Sequence, residues 1–208
     1  MPTPLLLIGA GGHTAACIDV VELDGRCSVV GLVASSSELG KQLFGYSVIG
    51  TDEDLPQLVG KYPNALIGIG HIKTPEPRIR IFDRLQALGC AMPVIVSPNA
   101  YVSKHASIGA GSIVMHGAVV NAGAVIGRNC ILNSLSLVEH DAVIADHCHV
   151  STAAAINGGV RIGAGTFIGS GSRVREGITI GERCLIGMGQ QVFADCKPGT
   201  HQPAEPSP

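Results

Sequence analysis

The 208-residue chain carries 14 Lys and Arg against 16 Asp and Glu, a formal net charge of −2, and its mean hydropathy is +0.35. No basic stripe offers a nucleic-acid surface, and no apolar run approaches the ~18 residues that cross a membrane. The seven cysteines are odd in number and form no C-x-x-C pair, so reduced thiols and a cytoplasmic home are expected.

Residues 4–9 begin as an apolar run and stop at Gly9-Ala10-Gly11-Gly12-His13, which predicts a buried strand ending in a tight turn. The run is too short for a signal-peptide core and no Lys or Arg precedes it. Ala15, Ala16, Ile18, Val20, Val21 and Leu23 then recur at helical spacing, and Asp24-Gly25 closes the helix. A second strand is expected over 28–33, a short edge piece over 44–49 and a short helix over 52–59. A third central strand over 65–69 ends in Gly68-Ile69-Gly70, a helix follows over 77–88 to Gly89, and residues 94–96 close the unit. Strands alternating with helices argue a small parallel α/β sheet over residues 1–96.

In such a sheet ligands bind where strands end and helices begin. The backbone N–H groups of Gly9-x-Gly11-Gly12-His13, at a helix N-terminus, suit a phosphate or diphosphate. A dinucleotide fold would need G-x-G-x-x-G, and position 14 is Thr; the second strand ends Val33-Ala34-Ser35 with no acid for a ribose.

From residue 100 to 195 the chain divides into sixteen uninterrupted hexads. Every third position is Val, Ile or Leu, from Val102, Ile108 and Val114 through to Val192, and the first position is usually small. A six-residue period is the signature of a parallel β-helix, three hexads making one triangular coil. Each inward aliphatic then stacks on its counterpart eighteen residues later, at roughly 1.5–3 kcal/mol per buried Val or Ile before entropy is counted. Glycines at block ends, among them Gly109, Gly111, Gly163 and Gly169, are expected to supply the corners. The β-helix is assigned to 97–196, and the proline-rich residues 197–208 are expected to form a loose tail.

The outward positions carry chemistry between Asn133 and His149. His140 stands between Glu139 and Asp141, and a histidine beside an acid has its tautomer fixed and its basicity raised. Neighbouring corners are expected to bring His140 and His149 near one groove. His140, Asp141, His147 and His149 are also possible metal ligands, but their spacing matches no closed tetrahedral site within one chain, so no metal is expected. His105, His116, His147 and His201 read as ordinary surface histidines.

These pieces together resemble the NeuD/PglD-type bacterial hexapeptide-repeat sugar acyltransferases. The matching segments are Ile8-Gly9-Ala10-Gly11-Gly12-His13, Gly68-Ile69-Gly70, Ile131-Leu132-Asn133, Val138-Glu139-His140-Asp141 and His149 nine residues on, in that order over nearly the whole chain. The resemblance implies a Rossmann-like domain followed by a left-handed β-helix, a homotrimer with active sites between subunits, and transfer from acetyl-CoA to a sugar, often nucleotide-linked. It implies His140 as general base and Asp141 as the carboxylate behind it, with Asn133 placing the acceptor. It further implies that Gly11, Gly12, His13 and Gly70 hold the sugar nucleotide, and that His149, Gly158, Ser170 and Met188 contact acetyl-CoA. The expected reaction is direct N-acetylation of a nucleotide-linked amino sugar for surface glycan synthesis. O-acetylation of a sialic-acid-like sugar, a zinc hydratase of the γ-carbonic-anhydrase type and a non-catalytic scaffold are the alternatives. Where PglD-like members have an Asp-Asp pair after the second strand this chain has Ala34-Ser35-Ser36, which leaves the nucleotide open.

Overall fold

The computed structural model describes residues 1–202. Its first part contains β1 (Thr3–Ile8), α1 (Gly12–Asp24), β2 (Cys27–Val33), β3 (Gln42–Leu43), β4 (Tyr46–Gly50), α2 (Leu55–Lys61), β5 (Ala65–Ile67) and α3 (Glu76–Ala87). The sheet order is β3-β4-β2-β1-β5, parallel throughout except for the β3–β4 pair. That pair is a hairpin turning at Phe44 and Gly45, both at positive φ (49° and 85°), so the edge piece expected over 44–49 is this turn and β4, with β3 added outside it as the edge strand.

The continuous apolar run of β1 is explained by burial on both faces. Leu5 and Leu7 pack with Cys17, Ile18 and Val21 of α1, whereas Leu6 and Ile8 pack with Leu55, Ile81 and Leu85 from α2 and α3. α1 lies between the sheet and the solenoid, its cluster extending to Ile95, Ile113, Met115 and Ile131. A helix covered on two sides needs apolar residues around much of its girth.

The hexads wind into the expected left-handed parallel β-helix with three faces. The first face carries strands from Tyr101–Val102 through Leu137–Val138 to Gln191–Val192, and the second runs from Ser107–Ile108 through Val143–Ile144 to Thr179–Ile180. The third runs from Ile95–Val96 through Ile131–Leu132, His149–Val150 and Phe167–Ile168 to His201–Gln202. Stacked partners are eighteen residues apart, as in Val120↔Val138 and Leu132↔Val150. Both the first and third positions of each block face inward, so Ala118, Ala124, Cys130 and Cys148 share the core with Val120, Ile126, Leu132 and Val150.

Two expectations at the ends of the solenoid change. Residues 94–96 do not close the α/β sheet: Ile95–Val96 pairs with Ile113–Val114 and starts the third face. The tail expected from 197 is still coil at first, because His201–Gln202 pairs with Leu185–Ile186; residues 203–208 lie outside the described range.

The glycines serve two separate needs. The sixth residue of fourteen successive blocks, from Gly111 to Gly189, has positive φ, and where it is not glycine the side chain tolerates that conformation: Asn129, Leu135, Asp141, His147, Ala153 and Arg183. The fourth-position glycines have ordinary φ but lie against the next coil, so a Cβ on Gly169 would come within 2.4 Å of the Gly187 carbonyl carbon.

The two parts are clamped together by histidines that sequence reading left at the surface. His116 bridges Ser97 Oγ and Asp19 of α1, at 2.7 Å to each. His147 accepts from the Asn129 amide at 2.9 Å and packs edge-on to Phe82 of α3 at 5.3 Å.

Candidate active site

His140 lies in the turn that joins the first face to the second. The corner holds Asp141 at φ 59°, which sets its carboxylate back beside the preceding ring. His140 Nδ1 donates to Asp141 Oδ2 at 2.9 Å, leaving Nε2 free to accept a proton. The hydrogen bond to Asp141, followed by the charges of Asp141 and Glu139, pushes the imidazole pKa up from its ordinary 6.5. Glu139 Oε2 itself accepts from the His140 backbone N–H at 3.2 Å and from Asn121 Nδ2 at 2.9 Å. Both members of the pair are open to solvent, with side chains 67% and 73% exposed. Gly158 occupies the same vertex one coil on, and a Cβ there would stand 2.7 Å from His140 Cε1 and Nε2.

His149 belongs to a different wall. It points outward from the third face between Ile131 and Phe167, only 6% exposed, and meets the Phe167 ring edge-on at 5.2 Å. Its Nδ1 donates to the His71 carbonyl at 2.8 Å and its Nε2 accepts from Asn133 Nδ2 at 3.3 Å, so the neutral Nδ1–H tautomer satisfies both contacts. Burial, followed in effect by the charge of Arg78 as the next lowering cause, holds its pKa down at about 4. His13 and His71 stand at 6.2 Å and 5.6 Å from the His149 ring, and burial first, then neighbouring charge, takes each to about 3. Three neutral imidazoles therefore gather where α1, β5 and the third face meet.

Two clefts flank this cluster. One, of 930 Å³, lies at the carboxyl ends of the central strands, lined by residues 8–14 together with Ser35, Glu38, Asp52 and Gly70. Gly11 caps α1 with no side-chain hydrogen bond, and a Cβ on Gly11 or Gly12 would meet nothing within 4 Å. The N-terminal amides of a thirteen-residue helix thus open onto the cleft, suited to a diphosphate. Gly70 borders the His13 ring, where a Cβ would sit at 3.6 Å. The second cleft, of 770 Å³, runs along the third face past Phe167, Ser170, Leu185 and Met188, with Lys73, Arg183 and His201 at its rim. It pairs an apolar floor with the charges of Lys73 and Arg183, the latter ion-paired with Glu76, a mixed character that suits a pantetheine arm and its phosphates.

The expected site residues therefore fall into two groups. Asn133, His149, Ser170 and Met188 ascend the third face and its edge toward the first, beside Gly11, Gly12, His13 and Gly70. His140, Asp141 and Gly158 occupy the vertex between the first and second faces, which in a triangular prism is opposite the third face. The expectation that His140 and His149 share one groove fails within a single chain, because a half-turn of coil carries the chain across the prism. The same separation sets His140 and Asp141 apart from His149, and among the described residues no group of three His, Cys, Asp or Glu side chains could hold a metal ion. Two residues to which sequence reading gave no role, His71 and Arg78, are buried at the centre of the junction. Only the apolar neighbourhood of Arg78 in an amphipathic helix could have marked it.

The fold and the two clefts define a hexapeptide-repeat transferase. The description "PglD N-terminal domain" matches residues 4–85, and "bacterial transferase hexapeptide (six repeats)" matches 159–189. The acetyltransferase domain of PglB from Neisseria gonorrhoeae, solved with acetyl coenzyme A, is 31% identical, with a TM-score of 0.88 and 100% of each chain covered. An asparagine-for-histidine variant of perosamine N-acetyltransferase from Caulobacter crescentus, solved with CoA and GDP-perosamine, is 29% identical with a TM-score of 0.89, over 95% of this chain and 92% of that one. WeeI from Acinetobacter baumannii shares the fold at 18% identity and a TM-score of 0.62, over 93% and 96%. No curated protein matches by sequence. The chain belongs to the PglD-type family of hexapeptide-repeat sugar acetyltransferases. No helix among the described residues is long and apolar enough to cross a membrane.

Proposed function

We propose that the protein transfers an acetyl group from acetyl-CoA to the amine of a nucleotide-linked sugar, and that it does so as a homotrimer whose sites lie between copies. The observation that carries the reading is the pairing of a helix-capped cleft with an apolar, cation-rimmed groove on either side of one imidazole cluster. The first would hold the diphosphate of the acceptor on Gly11, Gly12 and His13. The second would take the pantetheine arm of the donor past Ser170 and Met188, bringing the thioester toward His149 and Asn133. Membership in a family with CoA and nucleotide-sugar complexes supports both assignments.

His140 is the general base. Asp141 fixes Nδ1 as the protonated nitrogen, so Nε2 takes a proton from the acceptor amine as that amine attacks the thioester carbonyl; the C–S bond then breaks and Nε2 returns the proton to the departing sulfur, so CoA leaves as its thiol. A base so placed contributes on the order of 10²–10⁴-fold. One chain holds its base on the vertex opposite its own clefts, so the base for each pair of clefts comes from a neighbouring copy, and a closed three-fold ring satisfies all three sites. Gly158, expected on acetyl-CoA, sits beside His140 and would meet the donor from the base's side.

The test is CoA-thiol release with acetyl-CoA and a panel of nucleotide-linked amino sugars, GDP-perosamine included. Release with an amine acceptor and its loss in His140→Ala is the expected result. Release with hydroxyl acceptors alone, or with none, would overturn the reading.

A further inference from the structure

The segment from Gly68 to Lys73 is a wall shared by both clefts. Gly68, Ile69 and Gly70 line the first, Ile72 and Lys73 line the second, and His71 lies buried between them. No regular hydrogen-bonded structure holds this segment, which runs from the end of β5 to the turn before α3. Its first residue is held by the Gly68 N–H on the Ile8 carbonyl at 2.8 Å and by the Thr14 hydroxyl on the Gly68 carbonyl at 3.1 Å; beyond Gly68 the main anchor is one side chain. Arg78 of α3 is fully buried, and its Nη1 donates to the carbonyls of Ile67 at 2.6 Å and Ile69 at 2.9 Å. Its Nε donates to the carbonyl of Asn129, in the solenoid, at 3.2 Å. One planar cation thus ties the end of β5, the shared wall and a β-helix corner into a single frame, using the fork geometry that lysine lacks.

We infer that Arg78 is a positioning residue for acetyl transfer: it holds the shared wall at a fixed height on the third face, so that the His71 carbonyl locks His149 as the Nδ1–H tautomer with Nε2 as acceptor. The route has three links, each with its own distance. Arg78 grips Ile69, the chain reaches His71 two residues later, and His71 accepts from His149 at 2.8 Å. His149 then accepts from Asn133 at 3.3 Å. Among the described residues no carboxylate is hydrogen-bonded to Arg78, so the buried charge also acts on the imidazoles around it. It lowers the pKa values of His13, His71 and His149, in each case after burial itself. Arg78 remains a cation even so, its own pKa brought down only to about 10 by burial. A charge buried with carbonyls as its only hydrogen-bonding partners is costly for the fold. That cost is consistent with a service to the site.

The groups facing His149 are Arg78 from α3, His71 from the wall, His13 from α1 and Asn133 from the coil below. His147 and Glu76 stand beside His71. The kinetic side of the inference rests on the acetyl-transfer reading above; the tautomer side does not. The experiment therefore has two parts on the full-length protein, with folding confirmed by thermal melting. Long-range ¹H–¹⁵N NMR of histidine-labelled protein without substrate should show His149 as the Nδ1–H tautomer, protonating only near pH 4. In Arg78→Met the midpoint should rise toward the ordinary histidine value and the two tautomers should mix. The kcat/KM for the acceptor should fall on the order of a hundredfold, mostly in kcat, as for a misplaced reacting group.

Arg78→Lys keeps the charge and loses the fork. Its His149 midpoint should stay low while the tautomers mix and kcat/KM falls about tenfold. If Arg78→Met does not fold, Arg78→Lys carries the test. An unchanged His149 tautomer in a folded variant, with kcat/KM within about twofold of the parent, would overturn the inference. If the parent itself transfers no acetyl group, the function fails while the NMR result still decides the role of Arg78.

Discussion

The sharpest consequence of the geometry is that two defective chains should repair one another. His140→Ala removes the base from the vertex between the first and second faces, and Ser170→Trp fills the groove at the edge of the third face. Each homotrimer should lose at least about a hundredfold in rate, the first through its missing base and the second through its blocked donor cleft. In the proposed trimer each site draws its vertex from one copy and its clefts from the next. In trimers assembled at random from equal amounts of the two chains, half of the vertices and half of the cleft sets are intact. About one site in four should then be whole, and because purification on both tags removes the pure trimers, each mixed trimer keeps one whole site of three and should recover about a third of the parental rate. The chains can be co-expressed with different affinity tags and purified sequentially, and CoA-thiol release measured at saturating substrates. Mixed trimers no more active than the parents would refute the shared site and return the base and the clefts to one chain.

Other perturbations read the site more locally. In the proposed mechanism the base works deprotonated, so the rate should fall as pH drops through the His140 pKa, which Asp141 holds above the ordinary 6.5. Asp141→Asn should therefore move the acid limb of kcat/KM to lower pH and lower the plateau, as the freed imidazole is a weaker base; a pH–rate profile checks both. Two glycines should separate function from stability. Gly158→Ala places a methyl 2.7 Å from the His140 ring, which is free to swing aside into solvent, so melting should hardly change while kcat/KM falls about tenfold or more. Gly169→Ala drives its methyl to 2.4 Å from backbone of the next coil, which cannot yield, and should cost about 1–3 kcal/mol in denaturant unfolding.

How far sequence can be read depends on whether a feature is periodic or assembled. The hexads were legible because every coil repeats the same demand, an aliphatic at the third position and a small residue at the first, so sixteen blocks state one rule. Residue patterns also located β1, α1 and α3, each within a few residues of the observed bounds. The start of the third face was misread because Ile95-Val96 is apolar whichever sheet it joins; only its pairing with Ile113–Val114 decides.

The site residues divide along the same line. His140 and Asp141 are adjacent in sequence, and adjacency on a tight corner is enough to make their hydrogen bond, so the pair was visible from the chain alone. The separation of His140 from His149 was not. Nine residues along a coil amount to half a circuit of the prism, and the sequence carries no direct mark of which vertex faces which. Arg78 and His71 were hidden for a related reason: their meaning lies in carbonyls of Ile67, Ile69 and Asn129 and in a ring nitrogen of His149, brought together across 9 to 78 residues. By itself, then, the sequence determined the repeat, the scaffold and the His140–Asp141 pair, because each depends on short-range order. Tertiary structure alone decided that this pair and the clefts lie on opposite sides of one chain and that a buried arginine ties the wall between the clefts to the solenoid. Those relations depend on where three faces close, and no local residue pattern encodes that closure.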